Sequence, residues 1–212
     1  MSLITFEGID GCGKTTIINM VYEWMTEIGL DVVLTKEPGA PGSKICTQLR
    51  KIALDPDSNL DKDTAELFIM MADRAQHVKE IIMPALRENK IVLCDRYIDS
   101  TVAYQGYGRR LGADLETINK FNNIACRNLW PDLTIMFDID VKLAMSRTTK
   151  SEFGKADNFE QEEVDFFERV AKGFREIGKD EETNRCIETI KITEDMSRAD
   201  VFLKAKTIIS CA

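Results

Sequence analysis

Residues 8–15 run Gly8, Ile9, Asp10, Gly11, Cys12, Gly13, Lys14, Thr15, directly behind the apolar stretch of residues 3–6. This fits G-x-x-x-x-G-K-[ST] in full, and that pattern has a structural price of entry: a buried strand before it and a helix after it. The glycines let successive backbone N–H groups converge on phosphate oxygens without a Cβ in the way. A helix starting at Thr15 adds the positive end of its dipole. Lys14 neutralises charge on the outer phosphates, and the Thr15 hydroxyl can ligate Mg²⁺. A chance match in a chain this long is on the order of one per cent. The loop therefore predicts a nucleoside triphosphate, held by Gly8, Ile9, Asp10, Gly11, Cys12, Gly13, Lys14, Thr15 and the following Thr16. Asp10 has two readings: a turn residue capping its own backbone, or a carboxylate that orients a cation, for which Arg96 is the candidate.

The rest of the chain fits the fold this loop demands. Short apolar runs at residues 3–6, 32–35, 91–94, 133–137 and 186–192 read as five strands. Helical patterns fill the intervals 15–28, 44–54, 64–89 (interrupted or kinked by Pro84), 115–128, 141–149, 160–177 and 198–209. Such alternation predicts an α/β fold, a five-stranded parallel sheet flanked by helices, with ligands beyond the carboxyl ends of the strands. At 212 residues the chain is expected to be a single domain, 1–212. Residues 149–158 are polar and lie between two helices. They are either a solvated connection or a lid that closes over the site.

Charge and cysteine usage narrow the function. A net charge of −8 without a basic face argues against nucleic acid as a partner. Six scattered cysteines and one histidine, His77, suit free thiols in a reducing cytosol better than a disulfide framework or a zinc site. No apolar run approaches the ~20 residues of a membrane span, and no signal peptide is evident, so a cytoplasmic protein is expected.

Two classes of triphosphate protein must be separated. A guanine-specific switch usually carries N-K-x-D, and neither Asn89-Lys90 nor Asn119-Lys120 is followed by the required Asp. Residues 91–106 point to a phosphotransferase instead. The run 91–94 ends in Asp95, a carboxylate delivered toward the Mg²⁺ region, and Arg96 follows with a fork that can grip a phosphate. A structural Asp–Arg pair is the alternative.

At these residues the chain resembles the thymidylate kinases, nucleoside monophosphate kinases of the phosphate-loop type, over nearly its whole length. The matching pieces, in order, are FEGIDGCGKTT, TKEPG, LRKIALD, ADRAQH, DRYIDSTVAYQG, PDLTIMFDID and FEQEEVDFFERV. The resemblance implies transfer of the γ-phosphoryl group of ATP to dTMP, with Mg²⁺, in a homodimer whose long helix 64–89 is a plausible contact. It places the acceptor phosphate on Arg96, with Asp10 and Arg50 nearby. Glu37, Met70, Arg74, Thr101 and Gln105 fall in the acceptor pocket, with Arg74 bonding to the thymine ring. Tyr104 would pack beneath the deoxyribose, and Thr15 and Asp95 would hold the metal. The loop lacks the arginine some relatives carry there, so the resemblance assigns the catalytic cation to the lid region: Arg147, Lys150 or Lys155, with Arg147 also able to stack on adenine.

Three departures stand out. The family usually has phenylalanine where this chain has Met70, a side chain that adapts to a ring rather than templating it. The lid reads Asp157-Asn158-Phe159-Glu160 where arginine is usual at the second position. Lys36 replaces the arginine of R-E-P-G-G. The alternatives left open are a kinase of the same fold with another or wider acceptor range, such as dUMP, dGMP or a deoxynucleoside, and a non-catalytic nucleotide-binding regulator.

Overall fold

Residues 2–109, 115–147, 159, 162–179 and 185–211 are described by the structure, a computed structural model. Five strands form one all-parallel sheet: β1 (Ser2–Glu7), β2 (Val32–Lys36), β3 (Ile91–Asp95), β4 (Leu133–Ile139) and β5 (Ile187–Ile192). Their order across the sheet is β2-β3-β1-β4-β5. The central strands β1, β3 and β4 are buried along most of their length, which is why they read as unbroken apolar runs rather than as alternation. All five expected strands are present, most of them longer by a residue or two than the apolar runs alone indicate.

Helices cover both faces: α1 (Lys14–Glu27), α2 (Lys44–Leu54), α3 (Thr64–His77), α4 (Met83–Arg87), α5 (Ile98–Thr101), α6 (Leu115–Cys126), α7 (Val141–Arg147), α8 (Val164–Ile177) and α9 (Arg198–Cys211). The expected break near Pro84 is a widened π-type turn, Val78–Ile82, joining α3 to α4. Proline has no N–H and its ring clashes with the carbonyl four residues back, so the chain shifts to a wider hydrogen-bond pattern there instead of ending the helix. Helix α8 begins at Val164, not at 160, because Glu163 still has extended backbone (φ −73, ψ 159).

One helical element has no counterpart in the sequence reading. Residues 98–108, taken above only as a motif, form α5 and a continuing π-helical stretch, Val102–Gly108, that packs against α8. Its residues Ile98, Val102, Ala103 and Tyr104 are buried, and Gly108 lies so close to α8 that an added Cβ would sit 2.7 Å from the Phe166 ring. This short helix delivers Ser100, Thr101, Tyr104 and Gln105 from one side of the site.

Register converges three strand ends on one place. Phe6, Lys36 and Asp95 are paired across β1, β2 and β3. Beyond them the Arg96 amide donates to the Phe6 carbonyl (3.0 Å) and the Glu37 amide to the Asp95 carbonyl (3.0 Å). The three loops that leave these strands thus begin side by side.

Candidate active site

The loop after β1 turns sharply into α1. Gly8 has φ +145, and a Cβ there would come within 2.7 Å of the Phe137 carbonyl, so only glycine fits. Gly13, at φ +92, caps α1 with no side-chain acceptor on the first-turn amides. Those amides therefore point outward without a protein partner from the cap, as an anion site requires. Lys14 is 5% exposed and lies back along the loop, its Nζ 3.3 Å from the Ile9 carbonyl and 3.7 Å from Cys12 Sγ. Cys12 itself is buried in the main core, so the loop offers its backbone, not its thiol.

Across the mouth of this loop, Thr15 donates its hydroxyl to Asp95 Oδ2 at 2.7 Å. Two hard oxygen donors at this spacing, one neutral and one a carboxylate, match what Mg²⁺ takes from a protein when water and phosphate fill its other positions.

Arg96 stands at the centre of the site in left-handed backbone (φ 71), at the junction of β3 and α5. Its Nη1 donates to the Gly8 carbonyl (2.9 Å) and Ser100 Oγ (3.1 Å). Its Nη2 donates to Asp10 Oδ1 (2.6 Å) and the Tyr104 hydroxyl (3.0 Å). Tyr104 in turn donates to Asp10 Oδ2 at 2.6 Å, and the guanidinium lies 4.9 Å from the Tyr104 ring centre. Burial alone would raise the Asp10 pKa, but the charges of Arg96 and Lys14 and the bonds from Tyr104 and Arg96 outweigh it, and the carboxyl is held well below the usual range. Of its two readings, the geometry favours the carboxylate that orients a cation. Tyr104 is fixed by edge-on contacts with Phe159, Phe166 and Phe174 at 5.5–6.1 Å.

Beneath Arg96 lies a residue the sequence did not flag. Glu7 is wholly buried and accepts from the Tyr97 amide (2.7 Å) and the Ser100 hydroxyl (2.6 Å). Burial, with the nearby Asp99 charge, raises its pKa to about 7. A glutamate closing an apolar strand carries no sequence signal of that role.

A cavity of about 250 Å³ opens beside this cluster. It is lined by Asp10, Lys14, Thr15 and Asp95 at the loop end, by Lys36, Glu37, Pro38 and Arg50 on one wall, and by Met70, Asp73, Arg74, Arg96, Ser100, Thr101, Tyr104, Gln105 and Phe159 elsewhere. The expected acceptor residues Glu37, Arg50, Met70, Arg74, Arg96, Thr101, Tyr104 and Gln105 therefore share one wall system. Gly39 lets Arg50 fold across its wall: at φ +87, a Cβ there would sit 2.4 Å from Arg50 Cδ. Arg50 Nη1 donates to the Pro38 carbonyl at 3.0 Å.

Arg74, expected to bond to the base, is held by protein partners on every side. Its Nε donates to Glu37 (2.9 Å), its Nη1 to Thr101 Oγ1 (2.9 Å) and Asn122 Oδ1 (2.6 Å), and its Nη2 to the Tyr97 carbonyl (2.7 Å), with Nη2 also 2.8 Å from Glu37. Every edge of the fork faces a protein acceptor, so a bond from Arg74 to a base would have to replace one of these. His77 completes the buried network, bonding Glu37 through Nδ1 and Thr35 through Nε2, both at 2.8 Å. Asp73, also unflagged, accepts from the Gly39 amide (3.0 Å), while its Oδ2 is buried without a partner among the described residues. Burial and the Glu37 charge push its pKa up to about 6.

The donor side is less complete. Arg147 is the exposed last residue of α7 and does not line the cavity. Lys150, Lys155 and the whole of the expected lid, 149–158, lie outside the described residues.

A parallel sheet that ends in a phosphate loop, with an oxygen-donor pair at its mouth and an arginine-centred cavity one strand away, defines a phosphate-loop nucleotide-binding protein. The family model described as thymidylate kinase matches residues 6–199. A thymidylate kinase from Trichodesmium erythraeum is 41% identical, over 97% of this chain and 93% of its own. One from Finegoldia magna is 42% identical, over 97% and 99%. A crystal structure of thymidylate kinase from Ehrlichia chaffeensis superposes with a TM-score of 0.76 at 33% identity, covering 99% of this chain and 98% of that one. The chain belongs to the thymidylate kinase family.

Proposed function

We propose that the protein transfers the γ-phosphoryl group of ATP to dTMP, giving dTDP and ADP for deoxynucleotide synthesis. The single observation that carries this reading is the position of Arg96, which binds the phosphate loop at Gly8 and Asp10 and lines the cavity that opens beside it. A group held by both sites meets the same guanidinium.

In this reading the loop amides and Lys14 hold the β- and γ-phosphates of the donor. Arg96 exchanges protein partners for the acceptor phosphate, with Arg50 on the lining of the same cavity. Asp10 and Tyr104 keep the Arg96 fork aimed while it does so. The acceptor is already an anion and needs no base to activate it, so the site works by alignment and by spreading cationic charge over the transferring group. Thr15 and Asp95 would hold Mg²⁺, which supplies charge neutralisation between donor phosphates. Residues 149–158 would act as the lid, with Lys150 or Lys155 supplying its cation and Arg147 packing on adenine.

A homodimer is part of the proposal. Phe68 on α3 and Ile124 on α6 are 50% and 74% exposed, and Phe68 packs against Phe121 at 5.6 Å, an apolar surface along adjacent helices. No helix among the described residues is long and apolar enough to cross a membrane. Cytoplasmic work on free nucleotides, not nucleic acid, fits six unbridged cysteines and the acidic charge. The test is transfer of label from γ-labelled ATP to dTMP with Mg²⁺ present. Labelled dTDP supports the reading. Label released only as phosphate, or retained on ATP, overturns it.

A further inference from the structure

Gln105 is 2% exposed, lines the acceptor cavity, and its side chain makes one hydrogen bond among the described residues: Nε2 donates to Glu66 Oε1 at 2.7 Å. Glu66 is 1% exposed and lies behind the cavity wall, on the first turn of α3. Its two oxygens accept from Arg109 as well, from Nε at 3.2 Å and from Nη2 at 2.8 Å. Arg109 continues outward to Glu162 (2.6 Å), which also meets Lys62 (2.5 Å), and its guanidinium lies over the Phe166 ring at 4.6 Å.

This chain of contacts fixes an orientation that the Gln105 side chain alone would not. An amide can present either its NH₂ or its carbonyl oxygen, and the two are nearly the same shape. Burial works against charge on Glu66, but both of its oxygens already accept from an arginine that does not give up its proton, so they act as acceptors toward Gln105 too. The NH₂ must then face Glu66. The carbonyl oxygen is left for the cavity, where it has no partner among the described residues. Four residues earlier in the same helical stretch and on the same cavity lining, Thr101 Oγ1 accepts from Arg74, which leaves the Thr101 hydroxyl hydrogen to be donated. An acceptor with a donor on the same lining matches a pyrimidine edge with a protonated ring nitrogen flanked by carbonyls. It mismatches cytosine, whose N3 is bare and would face the Gln105 oxygen lone pair to lone pair.

We propose that Glu66 is a positioning residue for base choice: clamped by Arg109, it holds the Gln105 amide with its oxygen toward the cavity, so that the site takes a base bearing N3–H and refuses cytosine. The proposal rests on the thymidylate reading above. It also explains why a carboxylate and an arginine are buried behind a wall that neither reaches through. Removing a hydrogen bond that a site is built around loses discrimination far more than it loses folding, because a buried polar group is left facing the wrong partner.

The test compares Glu66→Gln, Gln105→Met and the double variant, using kcat and KM for dTMP and dCMP with Mg-ATP. With an amide at 66, the Gln105 amide can turn either way. We expect KM for dTMP to rise about tenfold while kcat moves less than threefold, and the dTMP:dCMP ratio of kcat/KM to fall about tenfold or more. Gln105→Met should lower that ratio at least as far, and adding Glu66→Gln to it should lower it no further, since the first acts only through the second. A ratio within twofold of the parent in Glu66→Gln, or single-variant effects that multiply, would overturn the proposal. Should Glu66→Gln fail to fold, Arg109→Lys, which loosens the clamp on Glu66, decides it: a dTMP:dCMP ratio within twofold of the parent overturns the proposal, and a fall of about tenfold supports it. Absence of dTMP turnover in the unaltered protein would instead overturn the thymidylate reading, and this base assignment with it.

Discussion

Replacing Arg96 with lysine keeps one positive charge and removes the fork. The guanidinium reaches four acceptors on three elements: Gly8 and Asp10 in the phosphate loop, Ser100 on α5 and Tyr104 just beyond it. A single ammonium, one atom shorter and more strongly hydrated, cannot span them. Asp10 keeps Tyr104 and the field of Lys14, so the loop itself should survive. What is lost is bidentate hold on the acceptor phosphate. One charge-assisted bond is worth about 1.5–3 kcal/mol, and a donor aimed at charge that develops during transfer is worth about 2.7–4 kcal/mol. Because these overlap, Arg96→Lys should lower kcat/KM for dTMP by about 3–4 kcal/mol, a factor of about 10²–10³. Equilibrium ATP binding should change less than threefold, since no Arg96 bond reaches Lys14 or Thr15. The assay is ADP release with dTMP varied at saturating Mg-ATP, alongside ATP binding and a thermal melt as a control for folding. A folded variant with kcat/KM within fivefold of the parent would refute the reasoning. So would a loss confined to ATP binding.

Other consequences follow from the same site. Glu7 titrates near pH 7 when folded against an ordinary 4.5, so the folded state prefers its protonated form and stability drains away as pH rises from about 4.5 to 7. Glu7→Gln should therefore narrow the stability gap between pH 5 and pH 8, read by urea unfolding, by about 2–3 kcal/mol; an unchanged gap would show that Glu7 is ionised throughout. Met70→Phe should lower KM for dTMP about two- to fivefold through ring stacking, whereas a raised KM would mean that Met70 fills a slot too tight for an aromatic side chain. Thr15→Val removes the hydroxyl that meets Asp95, and the Mg²⁺ concentration for half-maximal turnover should rise about tenfold; an unchanged Mg²⁺ titration would remove Thr15 from the metal site.

Where the sequence was legible, one local pattern carried the meaning. The phosphate loop needs its glycines and its lysine at fixed spacing, and buried parallel strands need uninterrupted apolar runs, so both show without tertiary information. Residues 98–108 were harder. Their helix mixes small, polar and aromatic residues because one side packs on α8 while the other faces a cavity, and no single period results. Glu7, Glu66 and Asp73 were silent for a related reason. A buried carboxylate is defined by what surrounds it, here Ser100, Arg109 and the Gly39 amide, and those partners are between 34 and 93 residues away in the chain. The same holds for Arg74: its place in the cavity wall follows from its motif, but that its donors are all met by Glu37, Thr101, Asn122 and Tyr97 depends on four separate elements coming together.

The central claim is that one guanidinium joins a triphosphate loop to a thymine-selective acceptor cavity. The most direct measurement is kcat/KM for ADP release from Mg-ATP with dTMP, dUMP, dCMP, dGMP and deoxythymidine in turn, against a no-acceptor blank. The account predicts turnover with dTMP, weaker turnover with dUMP, and rates at the blank for dCMP and deoxythymidine, the last because it brings no phosphate to Arg96. Equal turnover with dTMP and dGMP, or turnover with deoxythymidine matching dTMP, would contradict it.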